Sequence, residues 1–172
     1  MQIYLDCHGV LADLMAGIAK RYRIQYIDYP PGVYDISRII KRDVPWAEYT
    51  ANWWANLPRT SEASALVELG YHYCSKNSDG QHSLAVLSAP CSADCAAGTW
   101  AWVAANYPLE CILMKDKYLL ASSDRVLIDD KDDNIDRWID AGGIGILVPR
   151  PWNSAYHVTD VVAHVEHCLL AI

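Results

Sequence analysis

The chain has little positive charge: among its 172 residues, 14 Lys and Arg stand against 21 Asp and Glu, a formal net charge of -7, with the basic residues scattered. That argues against a protein built to grip a nucleic-acid backbone along its length, which needs a clustered basic footprint. Long apolar runs are missing as well, and none approaches the ~20 residues that cross a bilayer. The opening Met1-Gln2-Ile3-Tyr4-Leu5-Asp6 reaches a carboxylate at once, so no secretion signal is expected and a cytoplasmic protein is. Internal repeats, low-complexity tracts and flexible linkers are also lacking. Phe is absent beside seven Trp and eleven Tyr, and we have no physical account of that imbalance.

No CxxC occurs among the six cysteines, whose spacing is irregular, so reduced thiols rather than a disulfide framework are expected. His72, Cys74, His82, Cys91 and Cys95 have residue types that suit zinc, but their spacing matches no familiar finger or knuckle. Buried or incidental thiols are the competing explanation.

What is present fits one globular domain. With 52% hydrophobic and 20% charged residues the composition is far from that of a disordered chain. Short β-rich runs alternate with stretches of helical period, the pattern of a parallel sheet covered by helices on both faces, so the class is α/β. The expected strands are Gln2 to Leu5, Ser83 to Leu87, Leu109 to Leu113, Arg125 to Ile128 and Gly145 to Val148. Helices are expected over Ser92 to Asn106, Asn134 to Ala141 with a Gly142-Gly143 stop, and Val158 to Leu170. From about Arg23 to Pro58 the alternation ceases, which reads as an insert of residues 23–58 between core segments 1–22 and 59–172. Its Trp46, Tyr49, Trp53 and Trp54 fit either the packing of a small helical lobe or a stacking surface over a bound base.

In doubly wound sheets, loops at the carboxyl ends of the strands converge on one crevice. Asp6, Ser88-Ala89-Pro90, Lys115-Asp116-Lys117 and Asp129-Asp130 all fall just after expected strands. Phosphoryl transfer through a phospho-enzyme would use each of them. Asp6 and Asp129 supply oxygens for Mg2+, which offsets the charge of an attacking carboxylate and its phosphate. Ser88, the amides near Ala89 and the Lys117 ammonium suit the spreading negative charge. Each alone could equally be a helix cap or a dipole partner.

Together they resemble a known family. Ile3-Tyr4-Leu5-Asp6-Cys7-His8-Gly9-Val10-Leu11-Ala12-Asp13 resembles the first motif of the haloacid dehalogenase (HAD) superfamily, a hydrophobic strand followed by DxDGVLAD. Val86-Leu87-Ser88-Ala89-Pro90 is similar to the second motif, Asp116-Lys117 to the third, and Leu127-Ile128-Asp129-Asp130-Lys131-Asp132-Asp133-Asn134 to the fourth. Trp138, Ala141-Gly142-Gly143, Pro149 and Pro151-Trp152-Asn153 resemble the closing pattern of the 5'(3')-deoxyribonucleotidase group.

The resemblance implies a Rossmann-like core, a small helical cap inserted after the first motif, and hydrolysis of a nucleoside monophosphate with Asp6 as nucleophile. It further implies Trp53 and Trp54 around the base, and a metal held by Asp6, Asp129, Asp130 and the backbone carbonyl of His8. Asp130 is alternatively a partner for Lys117, and Asp13 either orients the loop after the nucleophile or caps the next helix. Cys7, with no dedicated base in the sequence, reads as a packing residue.

One departure matters. The family carries a second Asp two residues after the nucleophile as general acid and base, and this chain has His8 there. Such help is commonly worth about 10²–10⁴-fold, and imidazole can supply it near neutral pH. Three readings stay open: a nucleotidase using His8, a HAD phosphatase for another small ester or a nucleic-acid 3'-phosphate, and a nucleotide-binding protein without turnover. Nucleic acid and membrane partners are disfavoured, and a homodimer is compatible with the sequence.

Overall fold

The computed structural model describes residues 1–25, 31–32, 35–75 and 83–172, apart from the side chain of Ile39. His82 and parts of the expected insert lie outside the described residues. Five strands form one parallel sheet: β1 (Gln2–Leu5), β2 (Leu84–Ser88), β3 (Glu110–Leu113), β4 (Arg125–Asp129) and β5 (Ile144–Leu147), in the order β3-β2-β1-β4-β5. The class is therefore α/β and Rossmann-like. The order reverses between β1 and β4, so the crevice outside their carboxyl ends is the place where side chains can converge on a ligand.

The strands alternate buried side chains between two faces. Ile3, Leu5, Val86, Val126 and Ile128 enter a large core with α1 (Leu14–Tyr22), α4 (Ala63–Tyr73), α5 (Ala93–Asn106) and α7 (Val161–Leu170). Tyr4, Ala85, Leu87 and Leu127 enter a second core with Ile135 and Trp138 of α6 (Asp132–Asp140). Burial on both faces explains why these strands read as continuous apolar runs.

Helix starts follow their caps. Asp13 accepts from the Ala16 amide at 2.8 Å at the head of α1, so the capping alternative holds for that residue. Ser92 accepts from Cys95 N at 3.0 Å and opens α5 one residue later than the expected start. The last helix begins at Val161, not Val158, because Asp160 takes the Ala163 amide and Val158 N is spent in a turn to Ala155 O. The sixth starts earlier than expected, at Asp132, where two acidic residues favour the positive end of the helix.

Two short helices, α2 (Ile36–Ile40) and α3 (Ala51–Ala55), with a 3-10 turn at Trp46–Glu48, occupy the described part of segment 23–58. α3 lies directly on α5. A Cβ on Gly98 would stand 2.5 Å from Ala51 O and 2.3 Å from the Trp54 Cβ, so only glycine permits this approach. Asp94 accepts the Ala51 amide at 2.9 Å, and the Trp102 indole donates to Leu57 O at 2.8 Å, fixing both ends of the contact. Among the described residues no helix is long and apolar enough to cross a membrane.

Candidate active site

β1 delivers Asp6 to the crevice, where its amide still pairs with Ile128 O at 2.9 Å. The chain then folds tightly: Leu11 and Ala12 both return their amides to Cys7 O, and Gly9 turns at φ +88°. A side chain at Gly9 is strained by that φ and would put its Cβ 2.2 Å from Asp130 Oδ2. This glycine therefore lets the first loop lie against the carboxylate after β4.

Lys117 is the hinge of the charge arrangement. Its Nζ lies 2.7 Å from Asp6 Oδ1 and 2.6 Å from Asp129 Oδ2, and the lysine is 3% exposed. Burial alone would lower its pKa, but the Asp129 and Asp6 carboxylates outweigh burial and hold it above the ordinary lysine value. Lys115, its neighbour two residues away, sits exposed at the pocket mouth and leaves the buried role to Lys117. Asp129 also accepts from Lys131 N at 2.9 Å and Asn134 Nδ2 at 3.0 Å. Burial raises its pKa, against the pull of Lys117.

Asp130 is held from the other side. The Trp152 indole donates to its Oδ2 at 2.6 Å, Asn153 Nδ2 donates to its carbonyl at 2.8 Å, and Arg150 Nε donates to Gly9 O at 2.6 Å. Burial, then Asp129 and Asp6, push the Asp130 pKa well above the carboxylate range.

One carboxylate oxygen each from Asp6, Asp129 and Asp130 lie within 4.8 Å of one another. Three carboxylates share one ammonium, so ionising all of them leaves two buried negative charges uncompensated. A hard divalent cation with oxygen ligands at about 2.1 Å draws such oxygens to within about 4.2 Å, a small adjustment from what is seen. The donor set fits Mg2+.

A pocket of about 340 Å³ opens over this cluster, within the size range of small-molecule sites. Ser88, at the end of β2, faces it with a hydroxyl that is 1% exposed and has no hydrogen-bond partner. A buried donor left unmade is costly unless a ligand completes it. Ala89 follows on the same rim. Trp54 lines the pocket and stacks on Trp46, with centroids 5.8 Å apart and planes at 27°. Trp53 lies on the opposite side of α3, where it packs on Gly17 and faces a different groove. Of the two expected aromatics, Trp54 lines this pocket and Trp53 does not, and Trp46 lies beside Trp54 there.

His8 enters the pocket from the loop, 4.9 Å from Trp54 between ring centroids. Its Nε2 lies 3.3 Å from Thr99 Oγ1, whose own hydrogen is given to Cys95 O at 2.7 Å. A hydroxyl has one hydrogen to donate, so His8 Nε2 is the donor and Nδ1 carries the lone pair. Burial, then the Lys117 ammonium, push its pKa down to about 4, so the ring is neutral at pH 7. Cys7 is fully buried with a thiol pushed up well above its ordinary value by that burial, as a packing residue is.

Thr99, Arg150 and the contacts of Asn134 with Asp129 and of Trp152 with Asp130 are not visible in the sequence, whereas Trp46 is visible there as an aromatic of the insert but not as the neighbour of Trp54 in the pocket. Thr99 gives no sequence signal, being a mid-helix residue. Trp152-Asn153 is visible as a pattern, but nothing in the sequence ties it to Asp130. Among the described residues, which leave out His82, the carboxylate trio is the one cluster able to hold a metal, and the six cysteines form no disulfide.

A parallel α/β sheet with an acidic, lysine-bridged cluster at its reversal point defines the class of site. No family model matches the chain, and no curated protein does. Chains of solved structure do match, among them the crystal structure of a HAD family enzyme from Bacteroides thetaiotaomicron, 13% identical over 91% of this chain and 96% of that one, with a TM-score of 0.43. What the site can do is read from its own side chains.

Proposed function

We propose that the protein is a Mg2+-dependent phosphohydrolase of the haloacid dehalogenase type that removes phosphate from a nucleoside monophosphate through an aspartyl-phosphate on Asp6. The observation that carries this reading is the buried Lys117 bridging two strand-end carboxylates beside a third, under a pocket where the Ser88 hydroxyl waits without a partner. Asp6 attacks phosphorus, while Lys117, Ser88 and the amides near Ala89 receive the phosphoryl oxygens. Asp6, Asp129 and Asp130, with the carbonyl of His8, would hold the metal. When bound, Mg2+ supplies charge neutralisation for the carboxylate and the phosphate.

The leaving alkoxide needs a proton. A neutral His8 with a free Nδ1 is a base, suited to activating the water that hydrolyses the phospho-enzyme. To serve first as the acid it must be charged, and an arriving phosphate dianion raises its pKa in that direction. Trp54 and Trp46 provide an apolar wall suited to a base, since stacking tolerates any ring. The chain acts on a free small substrate in the cytoplasm, in keeping with its acidic charge.

Phosphate release from a panel of ribo- and deoxyribonucleoside monophosphates, with and without Mg2+ and at several pH values, tests the proposal. Metal-dependent turnover that disappears in Asp6→Asn is expected. No release from any of these substrates sinks it. A second reading, nucleotide binding without turnover, is favoured by the low His8 pKa alone. In that case His8→Asp creates activity, whereas in a His8 enzyme the same change mainly shifts the pH profile.

A further inference from the structure

Cys91 and Cys95 stand apart from the other cysteines. Cys91 follows Pro90 at the pocket rim and is exposed, while Cys95, one turn into α5, is 1% exposed, and both line the pocket. The two stand four positions apart where α5 begins, and each thiol shifts the titration of the other. From Cys95 the contacts continue inward, with Sγ 3.9 Å from Thr99 Oγ1 and Thr99 Oγ1 3.3 Å from His8 Nε2.

We propose that Cys91 and Cys95 form a peroxide-reactive dithiol at the rim of the pocket, closing to an intramolecular disulfide. It goes beyond the phosphatase reading, and its chemistry does not depend on it. A thiolate is the reactive form, and an accessible one beside a resolving thiol is the usual arrangement of redox-sensitive cysteines. The neighbouring Cys95 thiol is the first cause that brings Cys91 down to about 7. By contrast, burial raises the thiols of Cys7, Cys111 and Cys168.

The oxidant is a hydroperoxide. Cys91 sulfur attacks one peroxide oxygen, the O–O bond breaks as sulfur gives up two electrons, and with hydrogen peroxide the products are a sulfenic acid and water. Cys95 sulfur then attacks Cys91 sulfur, the S–O bond breaks, and hydroxide leaves as water with the Cys95 proton. The Cys95 thiol is raised first by its neighbour Cys91, and that influence ends once Cys91 is oxidised. Closure draws Cys95 from Thr99, the partner of His8.

The test uses the full reduced chain and a small molar excess of hydrogen peroxide. Intact mass is expected to fall by two hydrogens, with fragmentation placing the link between Cys91 and Cys95. Cys95→Ser should stop at a sulfenic acid on Cys91 that dimedone traps, and Cys91→Ser should show no such link. A link through another cysteine, overoxidation of Cys91 without a disulfide, or an unreacted Cys91 overturns the proposal on the wild-type chain alone, even if a variant fails to fold. Where the protein turns over a nucleotide, oxidation should slow it several-fold and dithiothreitol should restore it, and unchanged turnover overturns the link to His8. A disulfide that forms in a chain without phosphatase activity leaves the dithiol standing and removes the phosphatase.

Discussion

His8 is neutral because densely packed protein and Lys117 make its charged form unfavourable, and folding stability must register that. Its pKa is about 4 in the fold, against about 6.5 in an unfolded chain. Between those values the unfolded state binds more protons, so this residue contributes stability above pH 6.5 that is lost as pH falls towards 4. Asp129 and Asp130 have raised values and act in the opposite sense over the acidic range without metal, so wild type alone cannot isolate His8. Comparison with His8→Gln does, because glutamine keeps an N–H for Thr99 and does not titrate. We expect wild type to lose about 1–2 kcal/mol more than the variant between pH 7 and pH 5, measured by thermal unfolding in metal-free buffer. Equal losses would mean that the ring is charged in the folded protein.

At the scale of elements, the seat of α3 on α5 decides where Trp54 stands. Gly98→Ala sets two effects against each other. Alanine favours a helix interior over glycine by about 1 kcal/mol. The new Cβ, however, meets backbone at 2.5 Å (Ala51 O) and 3.1 Å (Ala55 N), atoms that move only with the whole of α3. Overpacking of this kind costs about 1–3 kcal/mol, so a net loss of stability is expected, together with a change in tryptophan emission as Trp54 shifts against Trp46. A higher melting temperature would show the helices to be farther apart than described. This contact also marks the limit of what the sequence reveals. The five strands and three helices are legible, with helix starts displaced by one to three residues, because period and glycine stops are local chemistry, and Asp6, Ser88, Lys117 and Asp129 are legible because strand ends in such sheets meet. The side of α3 that faces the pocket is not legible. Trp53 and Trp54 are adjacent in sequence, and the close approach at Gly98, 44 positions away, selects Trp54. The pairs Thr99 with His8 and Trp152 with Asp130 are hidden for the same reason, since each joins residues that only the completed fold makes neighbours.

For the whole molecule, the buried acidic cluster makes stability depend on a cation. An acidic chain of net charge -7 attracts divalent ions only diffusely over its surface, and such binding is screened by salt. Binding to Asp6, Asp129 and Asp130 differs because it relieves repulsion that burial has made expensive. A ligand at a hundredfold its Kd stabilises the folded state by about 2.7 kcal/mol, which for a chain of this length raises Tm by about 5–10 °C. Mg2+ at that saturation should therefore raise Tm by this amount at pH 7 in 0.15 M salt. The gain should shrink as pH falls from 7, because the raised values of Asp129 and Asp130 bring protons into competition with the ion earlier than for ordinary carboxylates. Asp130→Asn should remove most of the gain at pH 7 while relieving the apo protein of one buried charge, so its metal-free Tm should equal or exceed that of wild type. Differential scanning fluorimetry of the two proteins, with and without Mg2+, measures both differences. A gain that survives in Asp130→Asn, or that vanishes on adding monovalent salt, would place the cation on the surface and leave the carboxylate trio without its metal.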